Sequence, residues 1–220
     1  MKLYILPTPI GNLEDITLRA LRILKEVELV FCEDTRTTKN LLKHYGIDKK
    51  CYAYHINNEH QQVKSYVQWI KNGQTAALVS DAGTPGISDP GYLFIRECLA
   101  EGIDIECLPG ATALIPALVA SGFPCDKFYF HGFLPHKKGK ETTLKMLSER
   151  KETVVFYESP HRLVKTLTMM QNIFTPETKI CVSREISKVF EEHYRGTIEE
   201  TLTYFSTKEV KGEIVVTCHS

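Results

Sequence analysis

Three glycine- and proline-rich segments, each directly after an apolar run, hold much of the chemistry this sequence can offer. They are 7–13 (PTPIGNL), 80–91 (SDAGTPGISDPG) and 109–113 (PGATA). Glycine lets main chain approach a ligand closely, and proline stiffens a loop. In open α/β sheets the carboxyl ends of strands face the ligand crevice. Three such loops on one sheet edge would make a pocket lined largely by backbone. Taken singly, each also reads as ordinary turn punctuation. Ionisable groups sit at strand ends too. Asp81 lies in the second loop, Glu33-Asp34-Thr35-Arg36 follows the run 29–32, and Glu158-Ser159-Pro160-His161-Arg162 follows the run 153–157. Asp81 also reads as a turn cap, Asp34 as the N-cap of a following helix, and the Glu158–His161 stretch as a helix-start turn.

Missing motifs narrow the chemistry. The sequence has no GxxxxGK[ST], no GxGxxG after its first strand, no GxSxG and no HExxH. Phosphate transfer on a P-loop, a Rossmann dinucleotide site, a serine-hydrolase elbow and a zincin helix are therefore disfavoured. The ligand is expected to be gripped by backbone and a few hydroxyls, with little fixed positive charge. That suits a neutral or positively charged adenosine-type cofactor better than a triphosphate. His55, Glu59 and His60 suggest a metal at first sight, but Asn57-Asn58 reads as loop and no third ligand is evident, so none is expected.

The elements that must position these groups alternate along the chain. Strands are predicted at 3–6, 29–32, 51–54, 75–79, 103–107, 128–130, 153–157, 179–182 and 213–217. Helices are predicted at 16–25, 37–44, 61–71, 91–100, 112–121, 142–148, 163–172 and 198–205, with 186–196 as an extra hairpin arm. Strand–helix alternation implies an α/β fold with largely parallel sheets. The turn-rich stretch 122–126 marks the break, giving an N-terminal α/β domain at 1–122 and a C-terminal one at 123–220, with a ligand cleft between them.

With 220 residues, 43% hydrophobic and 25% charged, the chain has ordinary globular composition and room for two cores. The seven cysteines are widely spaced and odd in number, which argues against a disulfide framework and for a reducing cytoplasm. Nineteen uncharged residues run from 107 to 125, but three prolines and two glycines break them. A buried helix is expected there and no membrane span. Basic and acidic residues balance at 27 each. The first 124 residues carry 12 basic and 14 acidic groups, the rest 15 and 13. The segment 135–150 concentrates the excess, with Lys137, Lys138, Lys140, Lys145 and Arg150 against Glu141 and Glu149.

The ordered set of motifs resembles the tetrapyrrole methylase (class III methyltransferase) family, and within it the ribosomal-RNA branch. The resemblance rests on LYILPTPIGNLEDITLRA at 3–20, CEDTR at 32–36, VSDAGTPGISDPG at 79–91 and LPGATA at 108–113. HGFLP at 131–135, FYESPHR at 156–162, SRE at 183–185 and KGEIV at 211–215 continue it through nearly the whole chain. Tetrapyrrole methylases proper carry Gly-Asp-Pro where this chain has Gly83-Thr84-Pro85, which fits the ribosomal branch. Longer members of that branch extend beyond the Gly-Glu-Ile-Val strand, whereas this sequence ends at Ser220.

The resemblance implies two α/β domains, S-adenosylmethionine in the cleft, a homodimer, and 2′-O-methylation of a cytidine ribose in 16S rRNA of the small ribosomal subunit. By it, the cofactor touches Pro7, Gly11, Gly83, Thr84, Pro85, Ile87, Ser88, Ala111, Thr112, Ala113, Tyr157 and Val182. Methyl transfer to a ribose hydroxyl must align two atoms and benefits from a proton acceptor. Asp81, Arg36 and Glu158 are the catalytic candidates, with Glu33, Asp34 and His161 as further ones. Arg36, Lys137, Lys138 and Lys140 are the expected RNA contacts. Two alternatives stay open: methylation of a tetrapyrrole or a protein side chain on the same fold, and a non-catalytic ribosome-assembly factor.

Overall fold

The computed structural model describes all 220 residues, in two compact units, Met1–Thr112 and Ala113–Ser220. In the first unit the strands are β1 (Lys2–Leu6), β2 (Leu29–Cys32), β3 (Cys51–Ala53), β4 (Ala76–Val79) and β5 (Asp104–Cys107). Helices α1 (Leu18–Glu26), α2 (Thr35–His44), α3 (Glu59–Lys71) and α4 (Tyr92–Ala100) connect them in turn. The sheet order is β3-β2-β4-β1-β5, and every pairing is parallel. Parallel neighbours need a crossover, and each helix supplies one.

Both faces of this sheet are covered, so β2 and β4 are apolar and buried at every position. Alternation still sorts the side chains. Leu3, Ile5, Phe31 and Leu78 pack with Val67, Ile70 and Phe94 from α3 and α4. Leu6, Val30 and Val79 pack with Ile23, Leu24 and Leu42 from α1 and α2. Thr17 caps α1 by accepting from the Ala20 amide at 3.1 Å.

The second unit holds α5 (Leu114–Ser121), β6 (Phe128–Phe133), α6 (Lys140–Ser148), β7 (Thr153–Glu158), α7 (Leu163–Ile173), β8 (Lys179–Arg184), β9 (Glu192–Thr197), α8 (Ile198–Ser206) and β10 (Ile214–His219). Its sheet runs β6-β7-β10-β8-β9, and only β6–β7 is parallel. The expectation of a largely parallel sheet is corrected here. The turn between β8 and β9 is too short for a helical crossover, so β9 must return antiparallel. The arm expected at 186–196 is thus the loop and edge strand of that hairpin. Leu144, Leu167 and Phe205 from α6, α7 and α8 bury Phe156, Val182 and Val216. Helix α5 buries Leu114, Ala117 and Leu118 and packs over β8 and β10. It therefore groups with the second unit, and the chain divides ten residues before the 122/123 break read from the turn.

One polar cluster sits inside this second core. Glu158 ends β7 and is 2% exposed. Its carboxylate accepts from Lys140 Nζ at 2.8 Å, Arg162 Nη2 at 2.8 Å, the Ser159 amide at 2.7 Å and Thr166 Oγ1 at 2.5 Å. Lys140 is only 4% exposed, so it is withdrawn from solvent, and the expectation that it contacts RNA is corrected. Burying a carboxylate is costly unless its lone pairs are filled; here four donors fill them. Arg162 Nη1 also donates to the Leu134 carbonyl at 3.5 Å. The cluster thus holds both ends of the segment 134–140. Glu158→Ala leaves the buried Lys140 and the half-buried Arg162 without their anion and should cost about 3–5 kcal/mol. Urea unfolding followed by far-UV circular dichroism checks this; a midpoint equal to that of the unaltered protein would contradict it.

Candidate functional site

Sheet order dictates where the three loops go. Strand β1 lies between β4 and β5, and all three point the same way. The loops that follow them therefore leave the same edge as neighbours. Backbone hydrogen bonds then join them. The Thr8 amide donates to the Gly83 carbonyl at 2.9 Å, and the Gly83 amide donates back to Thr8 at 2.9 Å. Thr8 Oγ1 donates to the Ser80 carbonyl at 3.0 Å, and Ser80 Oγ to Gly83 at 3.0 Å. Thr84 Oγ1 donates to the Ala111 carbonyl at 3.1 Å, tying the second loop to the third. An aspartate at position 84 would lack that donor when ionised.

Two glycines are required by close approach. A Cβ on Gly110 would lie 2.7 Å from Pro7 Cβ, so the first and third loops touch only because that hydrogen is there. A Cβ on Gly91, at φ 148°, would lie 3.0 Å from the Gly86 amide nitrogen. Ser88 takes a positive φ of 62° without being glycine, a conformation held at some cost by the surrounding loop. Pro7, Gly83 and Pro85 are buried in the stitched platform, Thr84, Ala111 and Thr112 are half-buried, and Gly11, Ile87 and Ser88 are exposed. The sequence-expected cofactor contacts of the first unit are thus brought together on one edge. Ala113 starts the second unit and is half-buried.

Acidic groups flank this platform. Asp81 follows β4, and Glu33 and Asp34 follow the neighbouring β2. Asp34 caps α2 by accepting from the Arg36 amide at 2.8 Å, and it holds the Arg36 guanidinium through Nη2 at 2.6 Å and Nε at 3.1 Å. Those bonds, led by the Arg36 side chain, pull the Asp34 carboxyl down to about 2. The Asp34 amide donates to Asp81 Oδ1 at 3.1 Å. Partial burial, and then the Asp34 charge, push Asp81 upward despite that bond. Partial burial and the charge of Asp81 likewise raise Glu33. Asp81 is therefore a carboxylate readier to take a proton than an ordinary one, while Asp34 is held ionised as the partner of Arg36.

The remaining site expectations fall in the second unit. Glu158 is enclosed by its four donors and is unavailable to a substrate. Val182 is fully buried in the core, so its side chain packs with Phe156 and Val216 and has no face for a ring. Tyr157 is half-buried and meets Phe130 and Phe133 edge-on. Lys137, Lys138 and His161 are exposed. Sequence reasoning missed the Lys140–Glu158–Arg162–Thr166 cluster. Its signal was present: Lys140 shares the i, i+4, i+7 stripe of Leu144 and Leu147, and Glu158, Arg162 and Thr166 are spaced by four. His55, Glu59 and His60 do not converge, and no group of three His, Cys, Asp or Glu side chains is arranged to hold a metal. All seven cysteines are free, and no helix is long and apolar enough to cross a membrane.

The chain has clear relatives among known proteins. The family model described as Tetrapyrrole (Corrin/Porphyrin) Methylases matches residues 2–202. A Thermotoga maritima protein named ribosomal RNA small subunit methyltransferase I is 44% identical over 215 residues, covering 98% of this chain and 96% of that protein. Proteins of the same name from Bacillus subtilis and Escherichia coli O157:H7 are each 44% identical, over 96% and 98% of this chain and 72% and 76% of theirs. Among solved structures, a cobalt precorrin-4 methyltransferase superposes with a TM-score of 0.71 at 19% identity, over 99% of this chain and 94% of that one. A Thermus thermophilus uroporphyrin-III C-methyltransferase complexed with S-adenyl homocysteine gives 0.69 at 19%, over 100% and 98%. Those two likenesses carry the fold; the matches at 44% carry the kinship. The chain belongs to the tetrapyrrole methylase family, on the branch of the relatives named ribosomal RNA small subunit methyltransferase I.

Proposed function

We propose that this chain is an S-adenosylmethionine-dependent methyltransferase of the small ribosomal subunit, acting on the 2′-hydroxyl of a cytidine in 16S rRNA. The observation that carries the cofactor part is the stitched platform. Its three loops contain Asp81 and Asp89 and no lysine or arginine. A site so lined repels a triphosphate and accommodates a sulfonium. The relatives' printed name supports a ribosomal RNA substrate, and the resemblance of motifs supports the cytidine ribose, a homodimer and a cytoplasmic setting.

When bound, the cofactor supplies an electrophilic methyl group. The protein's own part is alignment and proton handling. Backbone groups around Gly83–Ser88 and Ala111–Thr112 hold the adenosine and amino-acid ends, fixed in advance by the hydrogen bonds among the loops. Asp81, with its raised proton affinity, accepts the ribose hydroxyl proton. Asp34 keeps Arg36 directed by two hydrogen bonds, and the exposed guanidinium contacts a substrate phosphate.

Labelled methyl transfer from S-adenosylmethionine to small subunits lacking the modification should mark one ribose of 16S rRNA; transfer to no ribosomal ribose would sink the assignment. Asp81→Asn should lower kcat by about 10²–10⁴-fold with cofactor affinity near parental. Because the base acts deprotonated, the parent rate should rise with pH through the raised Asp81 titration, and the variant should lose that acid limb. A variant with the parent's profile would remove Asp81 from the role. Gly110→Ala drives a methyl into Pro7 and should weaken cofactor binding at least severalfold, measured by calorimetry; parental affinity would show that the loop contact is dispensable.

A further inference from the structure

The second unit carries an exposed aromatic surface that the cofactor chemistry leaves unused. Phe133 ends β6, a sheet edge, and is 55% exposed. It stands opposite Tyr157 of β7, with ring centroids 5.3 Å apart and planes at 62°. Phe130 meets the same tyrosine at 5.1 Å and 71°. Edge-to-face contact fixes the Phe133 ring and leaves much of its surface to solvent. A rigid, solvated ring of this kind is what stacks an unpaired base, because every base offers a π face.

Cations follow it closely along the chain, four and five residues on. Lys137 and Lys138 are exposed and enter no ion pair, whereas Glu141 is taken by Lys145 at 2.8 Å and Glu158 by the buried cluster. That cluster ties down both ends of the segment that carries the two lysines. Arg162 grips the Leu134 carbonyl and Glu158 grips Lys140, so the loop between them is tied down at the residue after Tyr157. An exposed ring followed by two unpaired cations on an end-anchored loop offers one nucleotide both of its contacts, a stacking face for the base and positive charge for its phosphates.

We propose that the carboxyl ends of β6 and β7 hold one unstacked nucleotide of the RNA substrate, its base on Phe133 and its flanking phosphates on Lys137 and Lys138. The inference rests on the RNA reading above and deepens it. It makes the substrate a single-stranded or locally opened nucleotide, since a base stacked within a duplex shows no free face. It also lets a chain of zero net charge bind RNA through two local cations and a stacking contact.

The test uses Phe133→Trp as a fluorescent reporter, with the parent providing the Trp69 background. A six-nucleotide oligocytidylate should quench the added tryptophan. Converting Lys137 and Lys138 to glutamine in that background should weaken the quench and reduce the salt slope of binding by about 1.4. In the methylation assay, Phe133→Leu should raise KM for small subunits about tenfold with kcat and cofactor affinity near parental, and Phe133→Trp should restore it. No quenching at millimolar oligocytidylate, or a parental KM in Phe133→Leu, overturns the site. Quenching by oligocytidylate in a protein that methylates no ribosomal RNA supports the nucleotide site and overturns the methylation reading instead.

Discussion

Strands β1 and β4 run side by side in parallel, so their carboxyl ends and the loops that follow leave the sheet together. The reciprocal hydrogen bonds between Thr8 and Gly83 join those loops within two residues of β1 and four of β4. The rest of the platform hangs from this junction. Ser80 is turned inward to serve it, Thr84 reaches the third loop, and Gly110 lets Pro7 close against that loop. Because the main chain uses its own polar groups to build the platform, no charged side chain is needed there. That leaves room for Asp81 to set the local electrostatics.

The second unit solves a related problem in the opposite way. Its basic loop needs to be held near β7, and a buried ion cluster does this in place of backbone pairing. Burying Glu158 is tolerable only because Lys140, Arg162, Thr166 and the Ser159 amide all donate to it. The consequence is a division of labour among neighbouring lysines. Lys140 anchors, and Lys137 and Lys138 remain solvated. The same residue type thus serves as core and as surface within four positions.

Much of this was legible in the sequence. Nine of the ten strands and all eight helices were read from apolar periodicity, because strands covered on both faces show as unbroken apolar runs and helices as stripes. The three loops were legible because glycine and proline mark the positions where backbone must turn or approach. Less local features were not. Nothing in 185–191 alone states that β9 returns antiparallel; that follows from how little chain is left for a crossover. Helix α5 reads locally as part of the first unit because the Gly122–Asp126 turn is the stronger break, while its apolar face packs on β8 and β10. Val182 reads equally well as a ligand contact or as core, and only three-dimensional packing separates the two. Phe133 lies three residues beyond the strand predicted at 128–130, so its place opposite Tyr157 is not legible locally.

The central claim is that a cation-free edge stitched from backbone holds the sulfonium cofactor. Isothermal titration calorimetry of the intact protein with S-adenosylmethionine, repeated in the presence of millimolar ATP, tests it most directly. The account predicts saturable binding of about one cofactor per chain, undisturbed by ATP. No heat of binding with S-adenosylmethionine, or displacement of it by ATP, would contradict it.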